Sequence, residues 1–407
     1  MDARPRTLAN AGLLLSGGIG YSALLFVWFS LPAYLTPVIA SLGLSGTQAG
    51  ILTGAIPLTY IPLGLLSGLA IDRVGARRGI GIGIALAGLG QFARAFAPDF
   101  PTMLVLTILM GVGATGLTFG LPKLAAELYP AEVAGRAASA YLILAYAGSA
   151  TAFSVGRPIL GPALGGWRPL FYTSGAAMFA FAGLWAVLAR SLPPGRHATD
   201  GDGTFDTASL STDIRAVLGH RDLRLLILLG TMYLFVLHGL QSWLVTVLET
   251  RGVAPGLAGS VTALLVAGQI VGILAVPALT ERFGRTRAAL VGCGVLGGVG
   301  ALGLLATPEV VLLLAIPVVL VGVGMGGLAP LVRSVPVELD GIGPSLTATA
   351  VGVIFAIGEI GGFLGPVLIG WLRDLTGSFT PGIVLCAVAA SVAALAGIAM
   401  TDPDGAG

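Results

Sequence analysis

The sequence predicts an all-α polytopic membrane protein: twelve transmembrane helices arranged as two pseudo-symmetric six-helix halves. Three observations carry that prediction. Of 407 residues, 56% are hydrophobic and only 10% are charged, whereas a soluble domain carries roughly 25% charged residues. Most of this chain must therefore face lipid or other buried helices. Apolar runs of about 20 residues, the length that crosses a bilayer, recur twelve times. Finally, the charged hairpin Asp72-Arg73-Val74-Gly75-Ala76-Arg77-Arg78 returns about half a chain length later as Glu281-Arg282-Phe283-Gly284-Arg285-Thr286-Arg287. Both copies follow one apolar run and precede another. A charged hairpin repeated between spans reads as duplication of a six-helix unit, an organisation that points to a transporter and away from an enzyme or a receptor.

The runs fall at 13–39, 48–71, 79–97, 102–126, 137–163 and 170–190, and then at 225–250, 257–280, 288–306, 309–332, 347–370 and 381–401. The first span is too long for a signal-peptide core and lacks a small-residue cleavage site. Between spans six and seven lies the one long polar segment, 191–224, which opens with Pro193-Pro194-Gly195 and continues through Asp200-Gly201-Asp202-Gly203. Its mixed-charge second part, Asp213 to Arg224, reads as a short surface helix. The division is thus 1–190, a cytoplasmic linker 191–224, and 225–407. Glycine-rich stretches at matching places in spans four and ten (Gly111 to Gly116, Gly322 to Gly326), and Gly161-Pro162 in span five against Gly365-Pro366 in span eleven, repeat at nearly the same offset as the hairpin. The 63 glycines suit close helix approach in lipid. Cys293 and Cys386 lie inside apolar runs and read as packing thiols.

Arginine placement sets the orientation. With a cytoplasmic N-terminus, only Arg168, Arg251 and Arg373 fall on the far side, and most of the others fall on the cytoplasmic side. That bias places both termini in the cytoplasm.

At this point the chain resembles the major facilitator superfamily, over nearly its whole length. The family's loop signature between spans two and three is matched by Gly68-Leu69-Ala70-Ile71-Asp72-Arg73-Val74-Gly75-Ala76-Arg77-Arg78, and its span-five pattern by Gly161-Pro162-Ala163-Leu164-Gly165-Gly166. The span-four arginine of many proton-coupled drug exporters is replaced by Ile108, which argues against that kind of antiport. Leu121-Pro122-Lys123 at the end of span four looks like the nitrate/nitrite and cyanate-type porters. Arginines expected within spans two and eight of nitrate porters are missing, which disfavours nitrate itself. The resemblance implies rocker-switch alternating access, with spans one, four, seven and ten around a central cavity.

It also gives the hairpin a task. Asp72 is expected to dock on the N-terminus of span eleven near Ser345 and Thr347, because a helix N-terminus carries roughly half a positive charge. Glu281 would dock likewise near Gly135 and Ala137 at the start of span five. Asp72, Arg73, Gly75 and Arg77, with Glu281, Arg282, Gly284 and Arg285, are therefore the expected gating residues, together with Gly161, Pro162, Gly365 and Pro366. The competing account makes the charges simple topology determinants, for which arginine alone would do.

Charges within spans cost several kcal/mol unless paired or solvated. Arg157 in span five, Glu359 in span eleven and His238 in span seven are accordingly cavity candidates, joined by Gln241, Gln269, Tyr21, Trp28 and Lys123. For Arg157 the competing account is a structural ion pair. Glu359 could instead hydrogen-bond a neighbouring backbone, and His238 could be a packing histidine. Arg94 and Lys123, near span ends, are expected to snorkel to the interface. An arginine with few buried carboxylates favours an organic or inorganic anion as solute. A neutral compound with polar tips, and a multidrug or metabolite exporter on the same fold, stay open. No nucleophile motif, metal-ligand cluster or phosphate-cradling loop is present, so the expectation is a non-enzyme without cofactor or metal. Its expected partners are the bilayer, a small solute and a coupling proton; it is expected to be a monomer in the cell membrane, and the net charge of +2 gives no reason to expect nucleic acid.

Overall fold

The computed structural model describes residues 3–191, 207–306, 311–339 and 342–401. In chain order the helices are α1 (Ala3–Ala33), α2 (Leu35–Leu42), α3 (Gly46–Val74), α4 (Ala76–Arg94), α5 (Phe100–Leu128) and α6 (Ala131–Thr151). A π-helical stretch (Ala152–Leu160) and the short α7 (Gly161–Leu164) precede α8 (Trp167–Ser191) and α9 (Thr207–Gly219). The chain then continues through α10 (Arg221–Thr250), α11 (Pro255–Phe283), α12 (Thr286–Ala306), α13 (Val311–Glu338), α14 (Pro344–Thr376) and α15 (Thr380–Ala399).

Among the described residues, ten helical segments are long and apolar enough to cross a bilayer, and α3 adds a span broken between Gly64 and Leu66. The twelfth is α4, whose 19 residues carry Arg77, Arg78 and Arg94. At 1.5 Å per residue it is about 28 Å long, so its arginines and not its length set it apart. The fold is therefore the expected all-α polytopic bundle. Span one is two helices, interrupted at Tyr34 between Pro32 and Pro37, the two prolines that break its regularity. A proline lacks the N–H needed by the carbonyl four residues earlier, so two prolines this close leave the ladder incomplete. The surface helix of the linker is Thr207–Gly219, earlier than expected; Pro193 to Gly195 and Asp200 to Gly203 lie outside the described residues.

The chain forms two compact units. The first comprises Met1–Tyr34 and Pro62–Gly203, the second Leu35–Ile61 and Thr204–Gly407. In contrast to a division at 1–190, 191–224 and 225–407, residues 35–61 and the linker helix Thr207–Gly219 group with the second unit. In the first unit α4 packs on α5 and α8, and α1 on α6. Its core includes Phe153, Phe171 and Trp185, all fully buried. In the second unit α11 packs on α13, α10 on α14, and α12 on α13 and α15.

The repeated hairpin has the same backbone reason in both copies. Gly75, between α3 and α4, has φ 89°, and Gly284, closing α11, has φ 56°. A side chain is rarely tolerated at such angles, so each copy needs its glycine to turn the chain between spans. The next loop is fixed differently: Asp99 caps α5 by accepting the Thr102 N–H at 3.0 Å, and this bonding holds its carboxyl below the usual carboxylate range.

Candidate functional site

In the second unit, α10 and α14 bring two of the expected cavity residues together. His238 Nε2 lies 4.0 Å from Glu359 Oε2, with both side chains largely buried. Glu359 follows Gly358 and precedes Gly361 and Gly362, and these glycines let α14 approach α10 closely. A Cβ on Gly358 would lie 3.0 Å from Leu234, and one on Gly362 would lie 3.1 Å from the His238 ring. Glu359 Oε2 is buried and accepts no hydrogen bond among the described residues. Arg333 of α13 is a further cation of this unit. Its guanidinium stacks 4.2 Å above the Phe355 ring, and its Nη1 donates to the Ala329 carbonyl at 2.8 Å. One turn along α10, buried Gln241 donates to Gln269 of α11 at 2.7 Å. These two expected cavity residues therefore bond each other.

In the first unit, Arg157 sits on the π-helical stretch, beside Pro158. Pro158 and Pro162 each remove a ladder N–H, and their rings crowd the carbonyls four residues earlier. Widening to i→i+5 accommodates both, and such stretches are frequent at functional sites. The Arg157 guanidinium lies 4.7 Å above the Tyr34 ring. The Tyr34 hydroxyl donates to the Gly156 and Arg157 carbonyls at 2.8 and 3.2 Å. It occupies the space where a Cβ on Gly161 would lie, so that position accepts no larger residue. Tyr21 shares a 3.2 Å hydrogen bond with Thr118. Trp28 is buried and stacks on Phe29 with centroids 5.5 Å apart. In the second unit, Gly365 packs against α10, where a Cβ would lie 3.1 Å from the Phe235 carbonyl carbon, and Pro366 accepts a 2.8 Å hydrogen bond from Trp243.

One placement corrects the sequence reading and another adds a partner. Lys123, partly exposed near the end of its span, has its Nζ ion-paired with Asp72. Arg94 does not snorkel at all. It is fully buried, donating to the Val27 carbonyl at 3.0 Å and to Gln91, with Phe171 under its guanidinium. Gln91 in turn reaches Ser30 and Ser174, both at 3.1 Å. The network ties α4 to α1 about one turn before Pro32, and to α8 through Ser174. Of the hairpin arginines, Arg77 donates to Ala189 at 3.0 Å. Arg73, Glu281, Arg282 and Arg285 are exposed.

Sequence reasoning did not pair Gln91 with Arg94, and it missed Asp374. Ser45-Gly46-Thr47-Gln48, a helix-capping pattern, marks the start of span two but not its distant partner. An open groove of about 540 Å³ between α1 and α6, lined by Leu14, Tyr129, Arg136 and Tyr141 among others, holds none of the expected cavity residues.

Comparison with known proteins agrees with this architecture. The chain is 27% identical over 372 residues to a putative tartrate transporter of Agrobacterium vitis, covering 85% of this chain and 80% of that one. It is 27% identical over 396 residues to the 3-(3-hydroxy-phenyl)propionate transporter of Escherichia coli K12, covering 94% and 93%. Its fold matches, with TM-score 0.80 and 19% identity over 96% of this chain and 97% of the other, a bacterial homologue of the human lysosomal transporter Spinster in an inward-facing, unoccupied conformation. The model of the Major Facilitator Superfamily matches residues 17–366 and 237–406. The chain belongs to the major facilitator superfamily and is a multi-pass membrane transporter.

Proposed function

We propose that the protein moves a small organic acid across the cell membrane by alternating access, coupled to protons, with both termini in the cytoplasm. The observation that carries the reading is the His238–Glu359 pair. A carboxylate whose outer oxygen lacks a hydrogen bond, beside an imidazole within a membrane helix bundle, is expensive to keep charged. It becomes useful where one of the two groups takes up a proton in one state and releases it in another.

The acid follows from Arg157. A flat, permanently charged guanidinium, here held over the Tyr34 ring, is the side chain whose chemistry best matches a carboxylate. Two relatives whose names specify organic acids, tartrate and 3-(3-hydroxy-phenyl)propionate, support a carboxylate over nitrate. The positive-inside bias supports the orientation.

The test is uptake by purified protein in liposomes, using labelled tartrate and labelled 3-(3-hydroxyphenyl)propionate with and without an inside-alkaline gradient. Saturable accumulation that grows with the gradient supports the reading. Uptake of neither acid, or uptake indifferent to the gradient, contradicts the substrate class or the coupling respectively.

A further inference from the structure

The first turn of α3 accounts for every backbone donor, and the account requires a residue more than 300 positions away. The opening N–H groups of a helix have no partner inside it. Here the Ser45 hydroxyl accepts from the Gln48 N–H at 3.1 Å while the Gln48 side chain accepts from the Ser45 N–H at 3.0 Å, a reciprocal capping box. The box leaves the N–H groups of Gly46 and Thr47. Both go to one carboxylate: Asp374, near the end of α14, accepts from Gly46 at 2.7 Å through Oδ1 and from Thr47 at 2.7 Å through Oδ2. The Thr47 hydroxyl donates to the same Oδ2 at 2.7 Å. Three charge-assisted bonds and the positive end of a 29-residue helix converge on one side chain.

The helices behind this contact are shaped for it. A Cβ on Gly50 would lie 2.8 Å from the Pro366 carbonyl carbon, and one on Gly54 would lie 2.9 Å from the Phe363 carbonyl oxygen. The start of α3 therefore lies backbone to backbone against the end of α14. On the neighbouring pair, Thr36 of α2 bonds Thr246 of α10 at 3.2 Å.

We infer that Asp374 is a gating residue: its carboxylate clamps the end of span eleven to the start of span two on the non-cytoplasmic side, and the clamp must open in each transport cycle. The inference rests on the alternating-access reading and the orientation proposed above. Chemistry favours a releasable clamp. The bonds lie at the exposed ends of the helices, where water can replace each donor, while the glycine contacts beneath are apolar and separate without leaving unpaired polar groups. A buried clamp of the same composition would be a permanent tie.

The experiment reads the opening directly and needs no substrate. In a background lacking Cys293 and Cys386, Thr53→Cys places a thiol at a buried position of α3 beyond the clamp. Labelling of intact cells with a membrane-impermeant maleimide then reports outward opening. Asp374→Asn is expected to raise the labelling rate roughly fivefold, and Thr47→Val, which keeps the carboxylate and removes one donor, roughly twofold. Unchanged rates in both variants, at wild-type levels of inserted protein, overturn the inference. If Asp374→Asn fails to insert, Thr47→Val decides alone: a rise supports the clamp and a flat rate overturns it. The proposed function fails separately, if the wild-type protein takes up no organic acid in liposomes, and that failure leaves the labelling result standing.

Discussion

The two ends of α3 carry the same problem and solve it differently. At its start, in the second unit, Asp374 of α14 serves two backbone N–H groups and a hydroxyl, all at 2.7 Å. At its end, in the first unit, Asp72 pairs with Lys123 of α5 and stays 60% exposed. One carboxylate answers a fixed array of helix donors, the other a single flexible ammonium. The contrast teaches that a carboxylate alone does not make a docking contact. A contact of this kind also needs helix donors without partners and a backbone approach close enough to reach them. Asp72 is held by a side chain that can let go, which suits a carboxylate proposed to dock elsewhere in another state of the cycle.

The contrast can be broken most easily at Asp374. Replacing it with alanine strands the Gly46 and Thr47 donors, and loss of a helix cap costs about 1 kcal/mol. We expect a clear drop in the thermal midpoint of the purified protein, measured in detergent by intrinsic fluorescence. Asp72→Asn should leave insertion and thermal midpoint intact and slow transport by roughly two- to fivefold, the rate equivalent of a charge at a helix N-terminus. Wild-type rates in a correctly inserted variant would make Asp72 a topology determinant only. The smallest effect belongs to Lys123→Met, because exposed ion pairs contribute roughly 0–1 kcal/mol. A midpoint shift as large as that of Asp374→Ala would erase the distinction between the two ends.

The signals that survive in sequence are those that depend on local chemistry. Apolar length, the arginine bias and the duplicated hairpin gave the all-α bundle, since each is written in consecutive residues. The glycines of the hairpin were legible for the same reason: Gly75 and Gly284 answer a local turn. His238 and Glu359 stood out because a charge inside an apolar run is conspicuous wherever it packs. The pairing of Gln241 with Gln269 was not legible, because nothing in either run specifies which face meets which. Arg94 misled because its position near a span end suggests snorkelling. Its burial depends on Gln91, on the Val27 carbonyl and on Phe171, three partners on three different helices. Asp374 was invisible because its partners lie at the other end of the chain.

A sharper question concerns Arg157. Lysine there would keep the charge but lose the flat face over Tyr34 and the paired donors. Arg157→Lys should therefore raise KM for an organic acid by about tenfold, corresponding to roughly 1.4 kcal/mol, with kcat less affected. An unchanged KM would remove Arg157 from the binding site.

The central claim, proton-coupled movement of an organic acid, is tested most directly by separating exchange from accumulation in Glu359→Gln. Glutamine keeps the shape and cannot take up a proton. The account predicts that this variant, reconstituted in liposomes, still exchanges labelled for unlabelled acid but no longer accumulates it against a gradient when the interior is made alkaline. Gradient-driven accumulation at the wild-type level would contradict it.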